Sequence, residues 1–230
     1  LTFFNNSRDY ETQSSYPITV SVSDGVNTVT QDITINITDV NEPPSFGSSS
    51  VFSAAENQTS IGRVIVGDQE GDSLTYTLSG ADANSVSILT SGSDVGTLTF
   101  NSAPDYETKN TYLFTLSVTD GTNTSTQDIT VNVTNVNEAP VITNFSNALS
   151  AEENQVNVYQ VNAIDYEGDI IYYSISGTDK SFFNISSSGL VTFNTAPDYE
   201  NALDSGSNNS YSININVSDA QPSSNNDLID

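Results

Sequence analysis

Residues 112–133 read YLFTLSVTDGTNTSTQDITVNV, and this stretch decides the fold. Phe114, Leu116 and Val118 alternate with polar neighbours, and Ile129, Val131 and Val133 do so again. Side chains two apart share one face of a strand, so the pattern predicts two half-buried strands, with a turn at Asp120-Gly121 between them. Ile18, Val20 and Val22 before Asp24-Gly25, and Ile213, Ile215 and Val217, repeat the arrangement. No stretch combines helical spacing with a cap, which excludes helices longer than a turn. About seven short strands in each segment of roughly 95 residues predict an all-β chain of tandem Greek-key β-sandwich repeats, immunoglobulin-like in architecture.

Outward from that stretch, the same landmarks recur at a spacing of 93 to 97 residues, which marks a repeat protein. Asp9-Tyr10-Glu11 returns within FNSAPDYE (100–107) and FNTAPDYE (193–200). QDITINITDVNEPP (31–44) returns as QDITVNVTNVNEAP (127–140), Glu56-Asn57-Gln58 as Glu153-Asn154-Gln155, and DQEGD (68–72) as DYEGD (165–169). Boundaries at the Pro-containing segments give the C-terminal half of a repeat (1–44), a complete repeat (45–140) and a repeat lacking its last strand (141–230). A chain that starts and stops inside a repeat reads as a piece of a longer array. Leu1-Thr2-Phe3-Phe4 lacks the cationic flank of a signal peptide, so targeting information is expected to be absent or removed.

Composition removes whole classes of chemistry. The 230 residues include no Cys, His, Met or Trp. That excludes a Ser-His-Asp triad, Cys or His nucleophiles, zinc sites of the usual kind and disulfides. Against 29 acidic residues stand Arg8, Arg63, Lys109 and Lys180, for a formal charge of -25. Duplex DNA and anionic lipid are therefore poor partners, and no apolar run is long enough to span a bilayer. A repeat of this size with no disulfide is near the lower limit of what builds its own core, so a second source of stability is expected.

The acidic residues are the candidate for that source. Seventeen of the 29 carboxylates lie in the recurring motifs Asp-Tyr-Glu, Asp-x-Glu-Gly-Asp, Asn-Glu-x-Pro and Glu-Asn-Gln, with Asp39 beside them. A surface selected only for solubility would scatter them. Carboxylates gathered at the ends of a sandwich repel one another unless a cation neutralises them, and calcium takes six to eight oxygen ligands of this kind. No segment matches an EF-hand loop flanked by helices. Paired carboxylates such as Asp105 and Glu107 could serve a glycosidase, but a pair present in every repeat points to architecture rather than catalysis, and no enzyme is expected. Asp72 and Asp169, each after a Gly, are expected to fix a turn through side-chain bonds to the backbone.

Two further features bear on binding. In strands, one ring of each pair Tyr172-Tyr173 and Phe182-Phe183 must face outward or into a groove, which raises sugar stacking, although one core ring beside one surface ring is the plainer reading. Nine N-x-[ST] sequons, among them Asn36, Asn57 and Asn123, are close to the number chance gives in so Asn-, Ser- and Thr-rich a chain. Tyr10, Tyr106 and Tyr199 are expected to pack at a repeat end and hold the flanking carboxylates.

The motifs together resemble the cadherin repeat, in particular its bacterial and archaeal cadherin-like relatives, over nearly the whole chain. The resemblance implies calcium ions shared between successive repeats, about two to three per junction. Carried over position by position, the first junction would use Asp9, Glu11, Asp39, Asn41, Glu42, Asp68, Glu70 and Asp120. The second would use Glu56, Asp105, Glu107, Asn135, Asn137, Glu138, Asp165, Glu167 and Asp219. A third, incomplete set keeps Glu153, Asp198 and Glu200. Asn135 stands where Asp39 does, one negative charge fewer, and Glu70 and Glu167 occupy the second acidic place of the family's Asp-x-Asp.

The function this implies is a calcium-rigidified extracellular rod segment, structural or adhesive, of a larger cell-surface protein. Extracellular placement follows because weak multi-carboxylate sites need abundant calcium. The alternatives are a module binding polysaccharide or protein, and a subunit of a self-assembling surface layer or filament. Expected partners are neighbouring repeats of the same protein, with like molecules or surface glycans beyond them, and neither nucleic acid nor inserted membrane.

Overall fold

The computed structural model describes residues 8–146 and 148–220; the readings placed on Leu1-Thr2-Phe3-Phe4, on the sequon at Asn5 and on the C-terminal residues 226–230 lie outside them. The chain divides into two compact units, Leu1–Val136 and Asn137–Asp230. Among the described residues it is strand and loop, with two single 3₁₀ turns, Ala83–Ser85 and Lys180–Phe182. No helix there is long and apolar enough to cross a membrane.

Unit 1 begins with a two-stranded antiparallel hairpin, β1 (Ser15–Ser23) on β2 (Thr28–Asn36). Its strands follow β3 (Ser45–Phe46), β4 (Val51–Ala55), β5 (Ser60–Arg63), β6 (Val66–Gly67), β7 (Thr75–Ser79), β8 (Val86–Ile88), β9 (Thr97–Phe100), β10 (Thr111–Thr119) and β11 (Thr124–Thr134). These make a β-sandwich. One sheet runs β4-β11-β10-β7, the other β5-β9-β8, and β3 pairs with β6 at the margin.

The alternation read from residues 112–133 decides which face is buried. Phe114, Leu116 and Val118 from β10, with Ile129, Val131 and Val133 from β11, meet Ile61, Val86, Leu98 and Phe100 from the opposite sheet and Val64 just past β5. Burying such a side chain contributes about 1.5–3 kcal/mol, the main stabilising term in a unit without cross-links. The sequence did not foretell that β4 runs parallel to β11, Val51 opposite Thr130 through Ala55 opposite Thr134. That pairing closes the long sheet and places Glu56, just past β4, beside the end of β11.

Hairpin β1–β2 carries the same inward pattern, but Val20, Val22, Val29 and Ile33 are exposed, with no facing sheet among the described residues.

Unit 2 repeats the plan with β12 (Val141–Ile142), β13 (Asn157–Gln160), β14 (Ala163–Ile164), β15 (Tyr172–Ser176), β16 (Phe183–Ile185), β17 (Leu190–Phe193) and β18 (Asn214–Ser218). Sheet β13-β17-β16 faces pair β15-β18 across Val161, Phe183, Val191 and Phe193. Tyr211 meets Phe182, Phe183 and Phe193 edge-on at centroid distances of 5.7, 5.5 and 5.1 Å. Phe182 lies in a 3₁₀ turn, so strand alternation does not apply and neither ring of that pair projects as a stacking platform. Tyr173 packs on the core while Tyr172 is half-buried on the opposite face.

One close approach is common to both units. Gly96 has φ +90°, and a Cβ there would sit 2.2 Å from the Val64 carbonyl oxygen; Gly189 has φ +84°, with a Cβ 2.5 Å from the Val161 carbonyl. Only glycine fits.

Candidate metal centre

In unit 1, carboxylate oxygens of Glu11, Glu42 and Glu70 lie within 4.8 Å of one another. Glu11 lies in the turn before β1, Glu42 sits in the Pro-containing segment after β2, and Glu70 in the loop between β6 and β7, so three separate loops converge. The shielded oxygens are the telling feature. Glu42 Oε2, both carboxylate oxygens of Glu70 and Asp68 Oδ2 are closed off from solvent with no hydrogen-bond partner. A charged oxygen hidden from water without a donor is strongly unfavourable and rare in folded proteins. One remedy inside the site is a proton shared between Glu42 and Glu70. That hydrogen bond, with burial and the charges of Glu70, Glu11 and Asp39, pushes the Glu42 carboxyl up to about 7.

The neighbouring groups are held in place by the backbone. Asp9 accepts from the amide of Glu11 at 3.1 Å and the Thr12 hydroxyl at 2.8 Å; the Thr12 and Glu11 bonds hold its pKa below the ordinary carboxylate value. Asp68 Oδ1 accepts the Asp72 amide at 3.0 Å, and Asp165 Oδ1 the Asp169 amide at 2.9 Å. This reverses the turn expectation: the first Asp of the motif caps the turn, and Asp72 and Asp169 give backbone N–H groups. Asp68 Oδ2 stays without a partner. Asn41 Nδ2 donates to Asp120 Oδ2 at 2.8 Å, and Asn123 Nδ2 returns a bond to the Asn41 carbonyl at 3.1 Å. Burial raises the Asp120 pKa, but bonds from Asn123, Asn41 and Thr122 outweigh it, so it is lowered overall.

At the other end of unit 1, Glu56, Asp105 and Glu107 bring oxygens within 4.8 Å. Glu56 is 2% exposed and accepts the amides of Tyr106 and Val136, both at 2.7 Å. Asp105 is oriented by the Thr108 amide at 2.9 Å and hydroxyl at 3.0 Å. Asn135 is exposed beside them.

Unit 2 opens with the same grammar. Asn137 Nδ2 donates to Asp219 at 2.5 Å, the Glu138 amide reaches Glu167 at 3.5 Å, and Asp165 Oδ2 and Glu167 Oε1 are shielded and without a partner. Further along, Glu153, Asp198 and Glu200 cluster within 4.8 Å, all exposed, with Glu153 accepting the Tyr199 amide at 2.9 Å. Of the three motif tyrosines only Tyr106 packs against a core; Tyr10 and Tyr199 are exposed, so the backbone rather than the ring anchors those motifs.

The donor set of the cluster is entirely oxygen, anionic and gathered from separate loops, which suits a hard divalent ion of variable coordination number. The orphaned oxygens of Glu42, Glu70 and Asp68 fit such an ion, and so do those of Asp165 and Glu167.

Two buried acids escaped the sequence reading. Asp179 accepts the amides of Ser205 at 2.9 Å and Ser212 at 2.7 Å, and Asp204 those of Gly206, Asn208 and Asn209. The signal for Asp179 was present: Ser79-Gly80-Ala81-Asp82 and Ser176-Gly177-Thr178-Asp179 match, and Asp82 likewise accepts the Leu113 amide, at 2.8 Å, and pairs with Lys109.

Comparison with known proteins gives the same architecture. The family described as a bacterial Ig domain matches residues 41–134. Cadherin-related family member 1a of Danio rerio is 28% identical over 214 residues, covering 82% of this chain and 25% of that protein. Protocadherin-15 of Homo sapiens is 35% identical over 133 residues, 54% of this chain and 7% of that protein. The chain thus spans a quarter or less of these curated relatives. Among solved structures, human protocadherin-24 EC1-2 (form II) aligns with a TM-score of 0.51 at 25% identity, covering 70% of this chain and 81% of that one. Protocadherin gammaB7 EC3-6 aligns at 0.54 and 22% identity, over 83% and 52% of the two chains, and shows the fold alone.

Proposed function

We propose that this chain, which is built of cadherin-like repeats, is a calcium-stiffened segment of an extracellular, cell-surface protein. One observation carries the reading: the partnerless, shielded oxygens of Glu42 and Glu70 beside Glu11. Repeat boundaries near residues 44 and 140 complete it, with the Asn-Glu-x-Pro segments as linkers.

In this reading Glu11, Glu42 and Glu70, with Asp9, Asp39, Asn41, Asp68 and Asp120, supply oxygens to calcium around the first linker. Calcium, when bound, supplies positive charge that offsets carboxylate repulsion. The chain's own residues do the rest: Asn41 clips the linker to the Asp120 turn, Asp68 is aimed by the Asp72 amide, and Asp9 by Thr12. At the far end of unit 1 Glu56, Asp105, Glu107 and Asn135 offer oxygens of the same kind, and in unit 2 so do Asn137, Glu138, Asp165, Glu167 and Asp219. Glu153, Asp198 and Glu200 form a further set. The scarcity of cationic side chains, four against 29 acidic residues, and the Pro-containing linkers suit a spacer rather than a catalyst.

The test is thermal unfolding and solution scattering with millimolar calcium and with excess chelator. Calcium is expected to raise the melting temperature and lengthen the particle. Identical curves in both conditions would overturn the reading.

A further inference from the structure

We propose that the solvent-facing side of sheet β7-β10-β11 binds a neutral polysaccharide, a role beyond the calcium reading and independent of it. The register sets the outward residues in rows: Thr75, Thr119 and Thr124; then Thr77, Ser117 and Thr126; then Ser79, Thr115 and Asp128. Strand geometry spaces these groups about 4.8 Å across the sheet and about 6.8 Å along it. Eight of the nine carry a hydroxyl, which both donates and accepts. The ninth, Asp128, is engaged by the Thr115 hydroxyl at 2.7 Å, and the Thr119 hydroxyl is taken up in its own turn, donating to the Asn123 carbonyl at 2.7 Å and accepting the Gly121 amide at 3.1 Å, so the grid is carried by Thr75, Thr77, Ser79, Ser117, Thr124 and Thr126. At one end of the rows a shallow hollow of about 300 Å³ opens beside Gly80, Leu113, Asp128 and Thr130.

The two internal copies of the last strand support a constraint on this face. The outward residues Thr28, Thr30, Asp32, Thr34, Asn36 and Thr38 are identical to Thr124, Thr126, Asp128, Thr130, Asn132 and Thr134. The inward ones are not: Val29, Ile35 and Ile37 become Ser125, Val131 and Val133, and only Gln31 and Ile33 are kept, as Gln127 and Ile129. Packing alone would hold the inward side and free the outward one. Strand propensity explains threonine but not Asp and Asn, which strands disfavour. Thr19 and Asp32 also repeat the Thr115–Asp128 bond, at 2.7 Å.

Chemistry selects the occupant. A chain of charge -25 repels polyanions, and a cationic partner would seek the carboxylate clusters instead of a face whose one charge is already bonded. Protein interfaces are enriched in aromatic residues, Met and Arg and depleted in Ser, the opposite of these rows. A neutral chain of sugar hydroxyls matches an uncharged donor–acceptor grid. In unit 2 the pairs Ser174–Asn216 and Ser176–Asn214 keep the neutral chemistry, with Tyr172 opposite Ser218 on the side away from the core. Weak contacts recurring from repeat to repeat add through effective concentration.

The experiment is affinity electrophoresis in excess calcium, in gels containing dextran, mannan, laminarin or hydroxyethyl cellulose, with polygalacturonate as the anionic control. Retardation is expected in at least one neutral gel and not in polygalacturonate. The combined variant Thr75→Val, Thr77→Val, Thr124→Val and Thr126→Val keeps the branched strand-forming shape and should bind roughly tenfold more weakly, because several hydrogen bonds are lost. If that variant loses its cooperative melting transition, Thr126→Lys at one exposed position replaces it, with the same expected weakening. No retardation in any neutral gel, retardation in polygalacturonate alone, or a folded variant retarded like the parent would each overturn the proposal. None of these outcomes bears on calcium binding, which is read separately by melting.

Discussion

Glu56 and Val136 are joined across 80 residues: the Val136 amide donates to Glu56 Oε1 at 2.7 Å, while Oε2 takes the Tyr106 amide at the same distance. One buried carboxylate thus ties the strand after which it sits, the Asp-Tyr-Glu motif and the segment leaving β11. Glu56→Ala leaves two backbone N–H groups without their acceptor, and unit 1 should lose about 2–4 kcal/mol. Glu56→Gln keeps one accepting oxygen and should fall between. Urea unfolding followed by tyrosine fluorescence, in chelator so that metal does not contribute, measures both; variants as stable as the parent would show that these bonds are incidental.

Glu70→Gln separates electrostatic strain from structural support, because its effect should change sign with calcium. No N–H or hydroxyl donor reaches either Glu70 oxygen, and Glu11 and Glu42 stand within 4.8 Å. In chelator the substitution removes one of three crowded charges and should raise the melting temperature of unit 1. In calcium it removes a ligand and should lower both melting temperature and affinity. A decrease in both conditions would mean that Glu70 serves the fold alone.

Acidity gives a related test. The Glu42 carboxyl is pushed up to about 7 in the folded chain from an ordinary 4.5, first by a proton shared with Glu70 and then by burial and surrounding charge. Between those two values the folded state holds a proton that the unfolded chain has released. Stability without metal should therefore fall as pH rises from about 5 to 7.5. Asp82, Asp120 and Asp179 are shifted the other way, downward, and their contribution is lost only below the ordinary Asp value of 3.8. Melting curves in chelator across pH 4.5 to 8 should peak toward the acid side, and Glu42→Gln should flatten the slope. A metal-free protein that gains stability over that interval would contradict the Glu42 assignment.

Much of this was legible because local and global signals agree in the strands. Alternation at Phe114, Leu116 and Val118 is a local consequence of a face that must be buried, so it could be read without coordinates. Recurring acidic motifs likewise pointed to Glu11, Glu42 and Glu70, whose oxygens the fold brings within 4.8 Å of one another. What escaped depends on contacts between distant segments: the parallel pairing of β4 with β11, the Phe182 turn that breaks strand alternation, and the direction of the Asp68–Asp72 bond. Gly96 and Gly189 belong there too. Their glycine requirement comes from the carbonyls of Val64 and Val161, far off in sequence. Gly96→Ala forces a Cβ against the backbone at positive φ and should destabilise unit 1 by more than about 2 kcal/mol; thermal melts that stay within error of the parent would refute the close approach.

The loop after Asp198-Tyr199-Glu200 is where unit 2 departs most from its partner repeat. Eleven positions separate Glu200 from Tyr211, against five between Glu107 and Tyr112. The extra residues fold around Asp204, 3% exposed, whose carboxylate oxygens gather the amides of Gly206, Asn208 and Asn209 at 2.9 to 3.1 Å. Ser207 and Asn209 adopt positive φ to make this wrap, and the Asn209 amide side chain donates to the Tyr199 carbonyl at 2.8 Å. Charge-assisted bonds of this kind are the stronger class, so Asp204 organises the loop and the loop in turn holds the backbone between Asp198 and Glu200. Asp204→Ala should cost about 2–3 kcal/mol, concentrated locally. Hydrogen exchange at residues 201–210 should accelerate, thermolysin should cut there first, and unit 1 should melt unchanged. An Asp204→Asn variant retains one acceptor oxygen and should recover part of the protection; equal exchange in all three proteins would show that the loop is ordered by something other than this carboxylate.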